Sequence, residues 1–342
     1  MNGQVQEFAE NPDWLFQGIQ GETMQYIFAH VSSNTYRDSS FLDHRMSPVP
    51  SVMKGAAINI VNQSLKSDGR PANYIFHSAF CCSTLFSNCL QSVSDSLVLK
   101  EPQALGHLAD ALARSQKAGS FNRYRWQQVM APGLRLLEKS YPGQQGVIIK
   151  PANSANNMMH DILSLRPSRT LFMYGSLSDF LLSNLKGLDE SRQMVPLFLE
   201  RLHPLTDYAD KLPITDVQNL EHLQQCAVLW HTQLYHFSRL AAANDSVRCL
   251  AATDFLEEPE SVVRRALDHF GLPCDSERLN QLSSSGPLSR HSKSGDHYDS
   301  DTRADENAAL LEQHGGVLNE TLKWMDSLLD DFPIVLPLRP QL

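Results

Sequence analysis

The sequence predicts an α/β protein built on a doubly wound parallel sheet of about five strands, with helices on both faces and additional helices. Five short apolar runs are separated by segments with helical periodicity, and this alternation is typical of crossover units. The apolar runs are nearly continuous, as in strands that helices cover on both sides. A length of 342 residues with 42% hydrophobic and 20% charged residues can bury such a core.

The predicted elements follow in chain order. The five strands are YIF at 74–76, LVL at 97–99, VII at 147–149, LFM at 171–173 and VRCLA at 247–251. The helical segments around them are 84–93, 104–117, 126–139, 155–164, 178–186 and 217–243, with further helices at 52–66 and 305–330. We expect a single domain over 1–342, which divides into an irregular extension (1–70), a core (73–275) with a helical insertion (about 188–243), and a polar loop and helix (283–342).

Composition excludes several classes of function. The net charge of −9 argues against a general nucleic-acid-binding surface, although a local basic pocket is compatible with it. The N-terminal sequence has no basic region followed by an apolar one, and no apolar run approaches the ~20 residues that span a bilayer. Six scattered cysteines are not the dense framework of a small secreted domain. We therefore expect a cytoplasmic protein without a membrane span.

The turn after the first strand, HSAFCCST (77–84), has two interpretations. Only Thr84 fits the nucleotide-binding pattern G-x-x-x-x-G-K-[ST], because His77 and Cys82 take the glycine positions and Ser83 the lysine position. A helix that begins at Ser83 or Thr84 could bind a phosphate through its N–H groups and dipole. Ser83 could equally be an ordinary helix cap.

Four motifs in order decide between them, because together they resemble the sulfotransferases of the P-loop fold. AFCCSTLF (79–86) is similar to the family's phosphosulfate-binding loop, with Phe80 at the position of its basic residue and Cys82 at that of its glycine. VIIKPA (147–152) resembles the lysine motif, and TLFMYGSLSDFLLS (170–183) the strand and helix of the nucleotide site. TDFLEEPESVVRRALDHFGLP (253–273) resembles the closing motif. The resemblance covers most of 73–275.

The resemblance implies a fold of the P-loop nucleotide-binding type and 3′-phosphoadenosine 5′-phosphosulfate (PAPS) as the sulfuryl donor. It assigns the turn residues Cys81, Cys82, Ser83 and Thr84 to the 5′-phosphate, and Ser183 to the 3′-phosphate. Gly175 stands where the family has an arginine, so we expect Lys186, or Arg290 and Lys293 of the polar loop, to supply positive charge. A solvated basic cluster is the alternative for that loop.

Three residues are candidates for catalysis. Lys150 matches the lysine of the family's strand motif and could replace the cation that is missing at Phe80. His77 is the second choice for this cation and is as readily an ordinary turn histidine. Glu101 follows the second strand, where some members of the family have a general base, but Lys100–Glu101 could also be a solvated turn pair.

Other chemistry is less well supported. Cys81 and Cys82 are adjacent, which fits neither redox nor zinc spacing, so we interpret them as small packing residues. The histidines share no metal-ligand spacing, and direct sulfuryl transfer needs no metal. The expected acceptor is the hydroxyl or amine of a small molecule, carbohydrate or lipid. The alternatives are a small-molecule kinase of the same fold and a sulfotransferase-like binding protein that has lost catalysis.

Overall fold

The computed structural model describes residues 2–21, 23–65, 69–282, 287–289 and 300–342. Its strands are β1 (Trp14–Gln20), β2 (Gln25–His30), β3 (Met53–Ala57), β4 (Asn73–His77), β5 (Leu97–Lys100), β6 (Val147–Lys150), β7 (Thr170–Tyr174) and β8 (Val247–Ala251). Its helices up to β7 are α1 (Asn2–Glu10), α2 (Ser33–Asp38), α3 (Ile58–Ser64), α4 (Ser83–Val93), α5 (Gln103–Lys117), α6 (Arg123–Leu137) and α7 (Met159–Leu165). The later helices are α8 (Leu177–Lys186), α9 (Leu188–Leu202), α10 (Ile214–Gln218), α11 (His222–Ala243), α12 (Ala252–Glu257), α13 (Pro259–Phe270), α14 (Ser276–Asn280) and α15 (Ser300–Asp331). Short 3₁₀ helices span Asn153–Met158, His203–Leu205 and Pro287–Ser289.

The predicted parallel sheet is confirmed. Strands β4 to β8 form one five-stranded sheet in the order β5-β6-β4-β7-β8, flanked by helices. The residues of β4, β5, β6 and β7 are all buried, which explains why these strands are apolar runs without alternation. The strand order reverses at β4, and sheets of this kind bind ligands beyond the carboxyl end of the strand where this occurs. We therefore expect a ligand site at the turn that follows β4.

The N-terminal region differs from the prediction. The expected helix over 52–66 is wrong in its first half, because Met53–Ala57 forms β3 and only Ile58–Ser64 is helical. Strands β1, β2 and β3 form an antiparallel sheet that the sequence did not predict. Its buried face is aromatic, with Phe8 of α1 stacked 4.7 Å from Phe28. This burial of large rings stabilises what was expected to be an irregular extension.

The chain divides into two compact units. The first comprises Met1–Phe76, Ser87–Thr170 and Arg264–Leu282, and contains the antiparallel sheet. The second comprises His77–Phe86, Leu171–Val263 and Ser283–Leu342, and contains the helical insertion with α9, α10 and α11. The expectation of a single domain stays a prediction. Within the described ranges, no helix is long and apolar enough to cross a membrane.

Candidate active site

The turn after β4 has an unusual backbone. Ala79, Phe80 and Cys82 have φ values of 67°, 51° and 61°, in the left-handed region that residues with a Cβ seldom adopt. Each such residue costs of order 1 kcal/mol, and strain of this kind is concentrated at functional sites. Cys82 stands at the position where the family has a glycine. The positive φ of Cys82 explains the glycine of the family, because glycine adopts this conformation readily. Turns with such conformations can align N–H groups into an anion-binding concavity.

Hydrogen bonds from the end of β7 and from α11 hold this turn. The Ser78 amide donates to the Met173 carbonyl (3.0 Å), and the Gly175 amide donates to Ser78 Oγ (3.3 Å). Gln233 Nε2 donates to the Ser78 carbonyl (3.2 Å), and Trp230 Nε1 donates to the Gly175 carbonyl (3.0 Å). Gln233 and Trp230 are both buried. The helical insertion therefore fixes the turn, a role that its sequence did not reveal.

Gly175 lies directly against the turn. A Cβ on Gly175 would lie 3.5 Å from both Cys81 Cβ and the Phe80 carbonyl oxygen, which is ordinary van der Waals contact. An arginine, as the family has here, would need to extend beyond this contact. Cys81 is buried and its Sγ donates to the Met173 carbonyl at 3.5 Å, so it packs between the turn and β7.

His77 is buried at the end of β4, and its ring supports the turn. The Ala79 amide donates to His77 Nδ1 at 3.1 Å, so the proton of the neutral ring is on Nε2. This contact agrees with the interpretation of His77 as a turn histidine. The catalytic assignment of His77 stays a prediction.

Ser83 and Thr84 form the first turn of α4, a helix of 11 residues. Both are about 5% exposed, and the helix begins with the Phe86 amide bonded to the Cys82 carbonyl at 2.9 Å. Phe80, at the family's cation position, is 41% exposed, and its ring contacts Phe180 edge-on at 5.7 Å. The turn therefore combines polar side chains at a helix start with an aromatic ring in place of a cation.

A charged cluster occupies the ends of β5 and β6 in the first unit. Lys150 Nζ donates to Glu101 Oε1 at 2.5 Å, and Arg45 Nη2 donates to Glu101 Oε2 at 2.8 Å. The Lys150 side chain is completely buried, and the Glu101 side chain is 12% exposed. Glu101 also has a positive φ of 54°. The structure thus joins two predicted catalytic residues in one buried ion pair.

Lys100, beside this pair, is a second buried amine. Its Nζ donates to the Arg37 carbonyl (3.1 Å) and to Asn88 Oδ1 (3.2 Å). Burial, and to a lesser extent the Lys150 ammonium, lower the pKa of Lys100 to about 8. The interpretation of Lys100–Glu101 as a solvated turn pair is therefore wrong, because both side chains are held inside the protein.

Arg45 is a residue of this cluster that sequence reasoning missed. It belongs to a segment that was expected to be a loop. This segment pairs with the end of β5, where the Leu42 amide donates to the Lys100 carbonyl at 2.7 Å. The Arg45 guanidinium lies 3.6 Å above the Phe41 ring and also binds Asp43. No motif marks Arg45, because tertiary contacts bring it to Glu101 from 56 positions away in sequence.

The residues predicted for the 3′-phosphate are divided between α8 and the polar loop. Ser183 is half-buried and Lys186 is exposed, both on α8. Arg290 and Lys293 lie outside the described residues. Among the side chains that are described, no group of three or more His, Cys, Asp and Glu residues could hold a metal ion.

No protein-family model and no curated protein matches the chain. Solved structures are similar to it. A sulfotransferase from Alicyclobacillus acidocaldarius is 14% identical, with 77% of this chain and 97% of that chain covered and a TM-score of 0.38. The sulfotransferase domain from the curacin biosynthetic pathway is 12% identical, with 73% and 99% covered and a TM-score of 0.40. Retinol dehydratase in complex with androsterone and the inactive cofactor PAP is 12% identical, with 98% and 96% covered and a TM-score of 0.36. At these identities, no activity of these proteins is transferred to this chain.

Proposed function

We propose that this protein is a sulfotransferase that moves a sulfuryl group from PAPS to the hydroxyl or amine of a small-molecule, carbohydrate or lipid acceptor. The observation that carries the proposal is the strained turn after β4, which leads into a helix beginning with Ser83 and Thr84. The order of the four sequence motifs supports it independently. A strained turn before a helix is the arrangement that binds a phosphate through backbone donors.

The proposed reaction is a direct in-line transfer. The acceptor oxygen or nitrogen forms a bond to sulfur while the bond from sulfur to the 5′-phosphate oxygen breaks, and Glu101 takes the acceptor's proton. Lys150 would stabilise the negative charge that develops on the leaving oxygen. As in phosphoryl transfer, positioning and charge stabilisation supply most of the rate acceleration.

The burial of two turn residues supports the proposed site for the 5′ end of the donor. Ser83 and Thr84 are nearly buried, so a phosphate at the start of α4 would be largely shielded from water. The 3′ end has weaker support, because Gly175 provides no charge and Lys186 is exposed. In the proposal, Ser183 and Lys186 bind the 3′-phosphate together with Arg290 and Lys293.

One specific observation favours a second function, that of a protein that binds the nucleotide without catalysing transfer. Lys150 and Glu101 neutralise each other through a 2.5 Å hydrogen bond, and Phe80 replaces the cation of the turn. A protein that binds the nucleotide without transferring the sulfuryl group would need neither residue to act. For catalysis, Lys150 must exchange Glu101 for the donor, and this exchange would at the same time release the carboxylate to act as a base.

Calorimetric titration with adenosine 3′,5′-bisphosphate, and separately with ATP and Mg²⁺, tests the proposal. We expect the bisphosphate alone to bind, and Thr84→Val to weaken it at least tenfold. Ser92→Ala is the matched control, because the Ser92 hydroxyl donates to the Cys89 carbonyl further along the same helix. A preference for ATP would support the kinase alternative and overturn the proposal. The absence of binding to both ligands would also overturn the proposal.

Turnover distinguishes the two remaining functions. Incubation with PAPS and a panel of phenols, alcohols, amines and sugars should yield adenosine 3′,5′-bisphosphate and a sulfated product. Glu101→Gln should abolish the product and keep bisphosphate binding within about threefold. Binding without product over the whole panel would favour the non-catalytic protein, and loss of binding in Glu101→Gln would give Glu101 a structural role.

A further inference from the structure

A groove in the first unit, apart from the proposed donor and catalytic residues, has the features of a second ligand site. It has a volume of about 700 Å³ and lies between the end of β1, α5 and α6. Leu108, Phe121, Trp126 and Val129 form its apolar surface. None of the residues predicted for sulfuryl transfer lines it. A cleft of this size accommodates an organic molecule of drug-like size.

The aromatic side of the groove is held in place. Trp126 is 8% exposed, and its Nε1 donates to Asp161 Oδ2 at 2.9 Å. Asp161 is in turn within 3.4 Å of Arg123 Nη1. Asn122 caps α6 by accepting from the Arg125 amide at 3.0 Å. The indole and the start of α6 are therefore fixed before any ligand arrives, which reduces the entropy cost of binding.

The opposite side depends on a glycine. Gly18 has a φ of 153°, next to a register shift in the pairing of β1 with β2. A Cβ at Gly18 would lie 2.3 Å from His107 Nδ1, so a larger residue at this position would displace the ring. His107 Nε2 is 3.1 Å from Gln103 Nε2, which orients the ring at the groove.

The charges around the groove favour an anion. Arg114 and Arg125 line it from the last turn of α5 and the first turns of α6, and Asp110 is the one described carboxylate in the lining. The excess of positive charge contrasts with the net charge of −9 for the whole chain. Guanidinium groups bind carboxylate, sulfate and sulfonate through paired hydrogen bonds and also stack on aromatic rings.

We propose that this groove binds an amphipathic organic anion, with a flat apolar body against Phe121, Trp126 and Val129 and an acidic group bound by Arg114 and Arg125. This function goes beyond sulfuryl transfer, because the two sets of residues do not overlap. The ligand class follows from the combination of a fixed aromatic wall with two cations, since neither feature alone selects an anion with an apolar body.

The probe is 8-anilinonaphthalene-1-sulfonate, a bicyclic aromatic sulfonate whose fluorescence increases in apolar sites. We expect one molecule per chain, and Arg114→Gln with Arg125→Gln to weaken it at least tenfold. The control double variant, Lys211→Gln with Lys323→Gln, removes the same charge from exposed positions outside the groove and should leave the affinity within twofold. The uncharged analogue N-phenyl-1-naphthylamine should bind at least tenfold more weakly and should not distinguish these proteins.

A filled groove gives a second, independent test. Ala111→Trp places a large side chain on the α5 side and should abolish probe binding, whereas Ala242→Trp, at an exposed position on α11, should not. Circular dichroism of each variant shows whether the chain is folded, and adenosine 3′,5′-bisphosphate titration of each variant keeps this proposal separate from the proposed function. Probe affinity that is the same in the arginine double variant and its control would overturn the proposal, as would absence of binding to the unmodified protein.

Discussion

Removal of the Glu101 carboxylate should destabilise the protein more than removal of its partner Lys150. The Lys150 side chain is completely buried, and its ammonium is 2.5 Å from Glu101 Oε1. Loss of one partner of a buried pair leaves an uncompensated charge and costs about 3–5 kcal/mol. Glu101→Gln should therefore lower the free energy of unfolding by about this amount. Lys150→Met should cost less, about 1–3 kcal/mol, because Glu101 keeps Arg45 as a partner at 2.8 Å and is partly exposed.

A double-mutant cycle measured by urea unfolding with circular dichroism detects this asymmetry. The double variant, Glu101→Gln with Lys150→Met, should be at least about 2 kcal/mol more stable than the sum of the single effects predicts, because it removes both charges of the buried pair together. Asp95→Asn is the control, since its ion pair with Arg278 is exposed on both sides and should contribute less than about 1 kcal/mol. Additive effects, or a cost below about 1 kcal/mol for Glu101→Gln, would refute the role of this pair.

Two further predictions concern pH and backbone strain. Because the pKa of Lys100 is lowered from 10.5 to about 8, the folded state loses this proton before the unfolded state does. Relative to Lys100→Met, the free energy of unfolding should therefore rise between about pH 8 and pH 10.5, by at most about 3 kcal/mol. Equal pH dependence of the two proteins would contradict the presence of a buried amine. Cys82→Gly should stabilise the protein by about 1 kcal/mol, because glycine adopts the φ of 61° without strain. A lower Tm for Cys82→Gly would show that the cysteine side chain contributes more by packing than its backbone costs.

The parallel sheet could be predicted from the sequence because strands buried on both faces leave a simple signal. The antiparallel sheet could not, for a local reason. The register of β1 against β2 shifts between Phe16 and Gly18, so the alternation of apolar and polar residues that identifies a strand is interrupted. The segment 53–57 has only five residues, three of them exposed and three of them glycine or alanine, and only its pairing with β2 makes it a strand.

The candidate site was predictable only where its residues follow strands. Ser83, Lys150 and Glu101 lie at or just after strand ends and could be found in this way. Arg45 and Trp230 reach their partners through tertiary contacts over 50 or more positions, which no local pattern records. The left-handed turn was also hidden, because the residues that adopt it are not the glycines that usually signal such a backbone.

The remaining question, the replacement for the cation at Phe80, can be answered by comparing donor binding in two proteins. In the unmodified protein, a sulfuryl group that reaches Lys150 must compete with the Glu101 carboxylate. In Glu101→Gln this competitor is absent, so the bound anion would interact with the buried ammonium without displacing a carboxylate. Saturating PAPS should therefore raise the Tm of Glu101→Gln by more than it raises that of the unmodified protein, since binding to the folded state alone stabilises it by mass action. Adenosine 3′,5′-bisphosphate, which lacks the sulfuryl group, is the control and should raise both equally. An equal response to PAPS as well would mean that Lys150 does not bind the transferred group, and His77 would then be the remaining candidate for the cation.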